Sequence, residues 1–448
     1  MLKKESLNAY LSKIKSFLNL DTSVYLSIIT RIWSIIKTPL SIIFITRFLT
    51  PVYQGYWYAF LSMATLTVFA EMGFTTIIVQ YVSHEFAHLN LEKDNTVSGD
   101  DDRLQKFTGL IRFCISRYVI IIPIGVLIIL VVGFIFFKDT LYSKQLIFVW
   151  IIYACSGGLT LFASLISSII QGVNKVKDVL QINLYSNVIS TASIWIVLVF
   201  GGGIWALTIS TLIFCLTSFI FFLAKYGHFF RQVYIYPIKN KFNWGREVYK
   251  LQVQYSLSWI AGYFVFNFVT PVTLYFLGPV MAGRVGITFA TTSAILQMSY
   301  SWVANKIPEF NMHISLNKPG AARSLFQSLN RSSLFFFCLC SVSMLAVLGI
   351  NLFNLQIKFL PIGIVAILLV SEFAKLLFGN WAVYLRAYKS EPYLLLSLIN
   401  GFLTLVIFLV CLDIYRSFNL ALIIFTLLQV CILLLGSKKY FNKHSEVI

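Results

Sequence analysis

From residue 24 to residue 436 the chain alternates apolar stretches of roughly 20 residues with polar segments. A stretch of that length crosses ~30 Å of hydrocarbon as a helix rising 1.5 Å per residue, so each is predicted to span a membrane. The predicted spans are 24–48, 54–81, 109–137, 146–171, 180–200, 203–225, 252–277, 281–305, 332–352, 359–385, 392–413 and 418–436, twelve in all. On one side the connections are short, such as Gly201-Gly202 and the residues around Arg416, which leaves no room for an external catalytic or binding domain. On the other side lie longer segments. Residues 82–108 hold the acidic run Asp100-Asp101-Asp102, and residues 226–251 hold Arg231, Lys239, Lys241, Arg246 and Lys250. Both read as solvated linkers, so the function is expected between the helices.

Composition agrees with lipid as the solvent. The 448 residues are 58% hydrophobic and 12% charged, with a mean hydropathy of +0.82, which excludes an ordinary soluble domain. A net charge of +18 would suggest nucleic acid in a soluble protein, but here the basic residues sit mostly in loops and no nucleic-acid partner is implied. With the N-terminus in the cytosol, the inside segments carry 23 Lys or Arg and the outside segments four, Lys138, Lys144, Lys358 and Arg416. That asymmetry predicts a multi-pass protein of a cytoplasmic (inner) membrane with both termini cytoplasmic. Residues 1–23 carry Lys3, Lys4, Lys13 and Lys15 and lack a small-residue cleavage site, so no cleavable signal peptide is read. The seven cysteines, Cys114, Cys155, Cys215, Cys338, Cys340, Cys411 and Cys431, fall within spans and are expected to act as small apolar residues.

The chain repeats itself. Phe48-Leu49-Thr50-Pro51-Val52-Tyr53-Gln54-Gly55 returns as Phe276-Leu277-Gly278-Pro279-Val280-Met281-Ala282-Gly283, with five identities in eight positions at a shift of 228 residues. Each copy closes the first span of its half and opens the second. Parallel six-helix repeats are typical of alternating-access transporters. The expected fold is therefore an all-α integral membrane protein of twelve transmembrane helices in two six-helix lobes around a central cavity. Residues 1–225 form the N-terminal lobe, 226–251 a cytoplasmic linker loop and 252–448 the C-terminal lobe.

The stretch from Arg47 to Trp57, followed by Glu71-Met72-Gly73-Phe74 through Ser83, resembles the N-terminal signature of the polysaccharide biosynthesis flippases. These are the O-antigen translocases of the multidrug/oligosaccharidyl-lipid/polysaccharide exporter superfamily. Ile170-Gln171-Gly172-Val173-Asn174-Lys175-Val176 is similar to that family's turn after the fourth span. The resemblance implies a V-shaped pair of six-helix bundles that moves an undecaprenyl-diphosphate-linked oligosaccharide, an O-antigen or related surface polysaccharide unit, to the outer leaflet. Lipid-linked oligosaccharide and membrane lipids are then the expected partners, with a polysaccharide polymerase and chain-length regulator as candidate associates and a proton or sodium ion for coupling. No cofactor is expected.

Ionisable groups at bilayer depth cost at least ~2.5–3.5 kcal/mol, so each is a functional candidate. The spans contain eight basic residues, Arg31, Lys37, Arg47, Arg112, Arg117, Lys225, Arg284 and Lys375, against three acids, Glu71, Glu372 and Asp413. Arg47, Lys225, Arg284 and Asp413 lie near span ends, where their side chains can reach the headgroups. Arg31 and Lys37 lie deeper, about 10 Å and 20 Å along the first span. Arg112 and Arg117 belong to an unusually long third span whose cytoplasmic end can protrude. A diphosphate would accept charge-assisted hydrogen bonds from such groups, so Arg31, Lys37, Arg112 and Arg117 are the candidate cationic cavity, with an interhelical or surface-reaching role as the alternative for each. Glu372 and Lys375 stand three apart on one helical face and are expected to pair. Glu71 is a candidate for pairing with a first-span cation or for proton coupling.

His84-Glu85-Phe86-Ala87-His88 matches H-E-x-x-H, a zinc-protease pattern when helical. It falls where the second span meets the cytosol, no third ligand follows convincingly, and no Asp-Gly dipeptide supplies the partner motif of intramembrane zinc proteases. No Walker-type loop supports ATP hydrolysis. An ion-coupled multidrug/cation antiporter of the same superfamily would need acidic lobe interiors, whereas these lean basic. A membrane polysaccharide polymerase would need large external loops. The sequence reading is therefore a flippase, a transporter and not an enzyme.

Overall fold

The computed structural model describes residues 22–137, 143–238, 256–257, 260–304, 306–307, 310, 313–314, 319–350, 358–386 and 393–445. Its N-terminal lobe contains α1 (Thr22–Phe48), α2 (Pro51–Ala64), α3 (Val68–Glu71), α4 (Phe74–Phe86), α5 (Asp101–Phe137), α6 (Ser143–Gly172), α7 (Val176–Val199) and α8 (Trp205–Ile235). A two-residue antiparallel ladder, β1 (Asn90–Leu91) with β2 (Val97–Ser98), joins α4 to α5. The C-terminal lobe contains α9 (Ile260–Phe266), α10 (Val269–Leu277), α11 (Pro279–Ala304), α12 (Pro319–Gly349), α13 (Ile362–Arg386), α14 (Leu394–Asp413) and α15 (Phe418–Ser445).

Each of the twelve predicted spans has a helical counterpart. Among the described residues eight helices are individually long and apolar enough to cross a membrane, and α9 with α10, bent by 54°, makes a ninth. The other three spans are α1, the broken run α2–α4, and α11. In the second span the helix is divided into pieces of 14, 4 and 13 residues, each too short to cross a membrane alone. Lipid-exposed faces are apolar, as at Phe335, Val342, Phe402 and Val119.

The lobes meet where the repeated octapeptides begin α2 and α11. At Gly55 a Cβ atom would lie 1.9 Å from the carbonyl oxygen of Pro279, so only glycine permits this approach. Gly283 answers it from the other copy, its own Cβ position 3.0 Å from the Gly55 nitrogen. The seam extends through Lys358 Nζ, which donates to the Thr46 carbonyl at 3.0 Å, and through Phe69, whose ring lies 5.3 Å from that of Tyr263 and 6.1 Å from that of Phe264. Phe136 and Tyr275 meet edge to face at 5.6 Å.

Several helices run past their apolar segments. Helix α5 starts at Asp101 and α12 at Pro319, while α8 passes a non-helical Tyr226 (φ −117, ψ 18) and continues to Ile235. Residues 226–235, read as loop from the sequence, are therefore helix; residues 239–251 of that linker lie outside the described residues. The extension is held by side chains. Gln232 exchanges two 2.7 Å hydrogen bonds with the backbone of Val97, and Asn95 donates to the Lys225 carbonyl at 2.9 Å.

Candidate functional site

The second span is interrupted at membrane depth. A short 3-10 turn, Thr65–Thr67, precedes α3, and Met72 and Gly73 then take left-handed conformations (φ 51 and φ 70) before α4 begins. That conformation costs a non-glycine residue such as Met72 roughly 1–2 kcal/mol. Irregular backbone at such depth is tolerated where it is buried in protein or lines a polar cavity. Glu71, the last residue of α3, and Thr75, in the first turn of α4, stand on either side of the break.

Both residues line an open cavity of about 390 Å³ bordered by α6, α7 and Phe214 of α8. Helix α6 contributes Ser164, Ser167, Ser168 and Gln171, spaced three and four apart and therefore on one face. Helix α7 contributes Asn183 and Asn187, one turn apart. Asn187 is tied in place: its Nδ2 donates to the Asn183 carbonyl at 2.8 Å, and its Oδ1 accepts from Lys37 Nζ at 3.4 Å. Tyr118 donates to Glu71 Oε1 at 3.4 Å. Among the described residues no hydrogen bond engages the side-chain amides of Gln171 and Asn183. Gln171 also lines a second cavity, of about 360 Å³, with Ser83, Ala87 and Asn174 where α4 and α6 end. Gln171 thus stands between the two cavities.

The candidate cations are placed very differently. Lys37 reaches the cavity through Asn187 and, among the described residues, meets no carboxylate. Arg31 lies in α1 with its side chain outside the described residues. Arg112, counted with the cavity cations above, is committed elsewhere: its guanidinium donates to the carbonyls of Val233 (2.8 Å), Tyr234 (2.8 Å) and Tyr236 (2.5 Å) and caps the C-terminal end of α8. The protruding start of α5 carries it away from the cavity. Arg117 lies over the Phe113 ring at 5.0 Å. Glu372 and Lys375 pair at 2.6 Å inside the C-terminal lobe, with side-chain exposures of 0% and 6%. At the H-E-x-x-H segment Glu85 is buried and pairs with Lys106 at 2.7 Å, while His84 and His88 are exposed.

The polar wall of α6 and α7 is absent from the sequence reading. Its signal is the serine, glutamine and asparagine spacing at helical period, which a search limited to charged residues passes over.

No family model matches the chain, and no curated protein sequence matches it significantly. Solved structures do match its shape. Lipid II flippase MurJ, in an inward closed conformation, aligns with a TM-score of 0.61 and 15% identity, covering 94% of this chain and 89% of that one. An inward-facing multidrug resistance transporter of the MATE family aligns with a TM-score of 0.59 and 11% identity, covering 88% and 94%. A MOP superfamily transporter from Pyrococcus furiosus aligns with a TM-score of 0.54 and 13% identity, covering 95% and 96%. The chain has the twelve-helix, two-lobed fold of the MOP superfamily transporters.

Proposed function

We propose that the protein is a flippase that carries an undecaprenyl-diphosphate-linked oligosaccharide across a cytoplasmic membrane by alternating access. The observation that carries this reading is Lys37, a cation within the first span that is hydrogen-bonded to the cavity residue Asn187 and, among the described residues, pairs with no acid. An ammonium at that depth is costly unless an anion completes it, and a diphosphate head group would do so. The fold shared with a lipid II flippase supports the same reading. Entry from the cytoplasm fits the positive-inside orientation, with the 82–108 and 226–251 segments and both termini on that side. Arg31 is retained as a second proposed contact, and Arg117 as a residue near the entrance.

The test uses purified protein in proteoliposomes with lipid-linked glycan extracted from the source organism. Translocation is read as the fraction reachable by an impermeant lectin. Lys37→Gln should slow it about tenfold or more, the effect of one lost charge-assisted hydrogen bond, and Lys37→Arg should restore much of it. Transport by Lys37→Gln at the wild-type rate would remove the site assignment.

Glu71 favours a second reading. A carboxylate at the break of the second span is what an ion-coupled exporter of organic cations would use, and one neighbour in fold is a multidrug transporter. Efflux of ethidium driven by a proton or sodium gradient, with no movement of lipid-linked glycan, would favour it over the flippase.

A further inference from the structure

Resting on the flippase reading, we infer that the cavity between α4, α6 and α7 is a carbohydrate subsite, which seats the sugar nearest the diphosphate while Lys37 at its edge meets the phosphate.

The walls argue for a hydroxyl-rich ligand. Pockets for drug-like molecules are mostly apolar and aromatic, whereas here the groups presented are carboxamides, hydroxyls and one carboxylate, with Phe214 the aromatic ring among the lining residues. Each free amide, of Gln171 and of Asn183, offers two donors and a carbonyl acceptor. A sugar hydroxyl both gives and takes a hydrogen bond, so a polyol can satisfy both amides and the Glu71 carboxylate together. At about 390 Å³ the cavity falls in the ~300–1,000 Å³ range of small-molecule sites.

Connectivity points the same way. Asn187 lines the cavity and also holds Lys37, so the cationic and the hydrogen-bonding positions are joined through one side chain. A glycosyl diphosphate has the matching order, with charge and first sugar separated by a single glycosidic oxygen. The second cavity, reached past Gln171, leaves room for the glycan to continue towards the loop face.

Full-length protein in nanodiscs is titrated with two probes: undecaprenyl diphosphate bearing the native repeat unit, extracted from the source organism, and undecaprenyl diphosphate alone. Gln171→Ala/Asn183→Ala should bind the glycan-bearing lipid about tenfold more weakly, the loss of two hydrogen bonds, while the sugar-free lipid still binds. Lys37→Gln should weaken both. In the wild type, hydrogen exchange at 164–171 and 183–187 should slow with the glycan-bearing lipid and not with the sugar-free one. Equal binding of the glycan lipid by wild type and double variant overturns the subsite and leaves the flippase standing. Loss of both lipids by the double variant also overturns it, because a sugar subsite does not hold the diphosphate. Wild-type protein that binds neither probe refutes the flippase reading itself.

Discussion

The two lobes descend from one repeated plan and treat their polar side chains in opposite ways. In the C-terminal lobe several buried polar side chains are matched to one another. Lys375 donates a hydrogen bond to Glu372 and lies over the rings of Phe266 and Phe425 at 5.0 and 5.6 Å, Asn400 and Gln429 exchange hydrogen bonds of 3.0 and 2.9 Å, and Asn380 donates to Asn330 at 2.9 Å. In the N-terminal lobe Gln171, Asn183 and Glu71 line a cavity, with Lys37 held beside it by Asn187. Paired polar groups hold helices together in lipid, whereas the same groups around a cavity are available to a ligand. Residue type does not distinguish the two cases; partnership does.

Substitutions can break this contrast, and the largest effect belongs to the sealed pair. Lys375→Met leaves the Glu372 carboxyl buried without its ammonium partner, and among the described residues its Oε2 already lacks a hydrogen bond. A loss of about 3–5 kcal/mol is expected, read as a fall in thermal stability of the detergent-purified protein. The double change Glu372→Gln/Lys375→Met should recover most of it. If Lys375→Met melts with the wild type, the pair does not hold this lobe together.

A smaller loss, about 1–2 kcal/mol, is expected for Asn400→Leu, which strands Gln429 between helices. The same measurement on Asn183→Leu should stay within about 0.5 kcal/mol of wild type, because among the described residues that amide makes no hydrogen bond. Transport should nevertheless fall. Equal destabilisation by the two leucines would erase the distinction between the lobes.

The sequence shows the spans because hydropathy measures the cost of each segment in lipid, and it shows the repeat because glycine and proline fix the turns. The Glu372–Lys375 contact is legible from spacing alone, since three residues of helix bring two side chains together. The fate of Arg112 is not. Its partners are three carbonyls at the C-terminal end of α8, in a segment whose Arg231 and neighbouring basic residues make it read as a loop. The break after Glu71 is likewise hidden: Gly73 hints at it, but a methionine gives no sign of the left-handed backbone at Met72. The cavity itself required helices α6 and α7 to be laid side by side before their amides converged.

At the seam between the lobes the two copies of the octapeptide press on each other. A protein assembled from two identical half-chains would carry every change on both sides of that joint at once. Fusion into one chain lets the sides diverge, and they have done so: Gln54 donates to the Leu49 carbonyl at 2.9 Å, a bond that Ala282, its counterpart, has no side chain to make. Gly55 and Gly283 have not diverged, because a side chain on either would push the halves apart. The joint therefore preserves the trace of the duplication at the two positions where neither half can change alone.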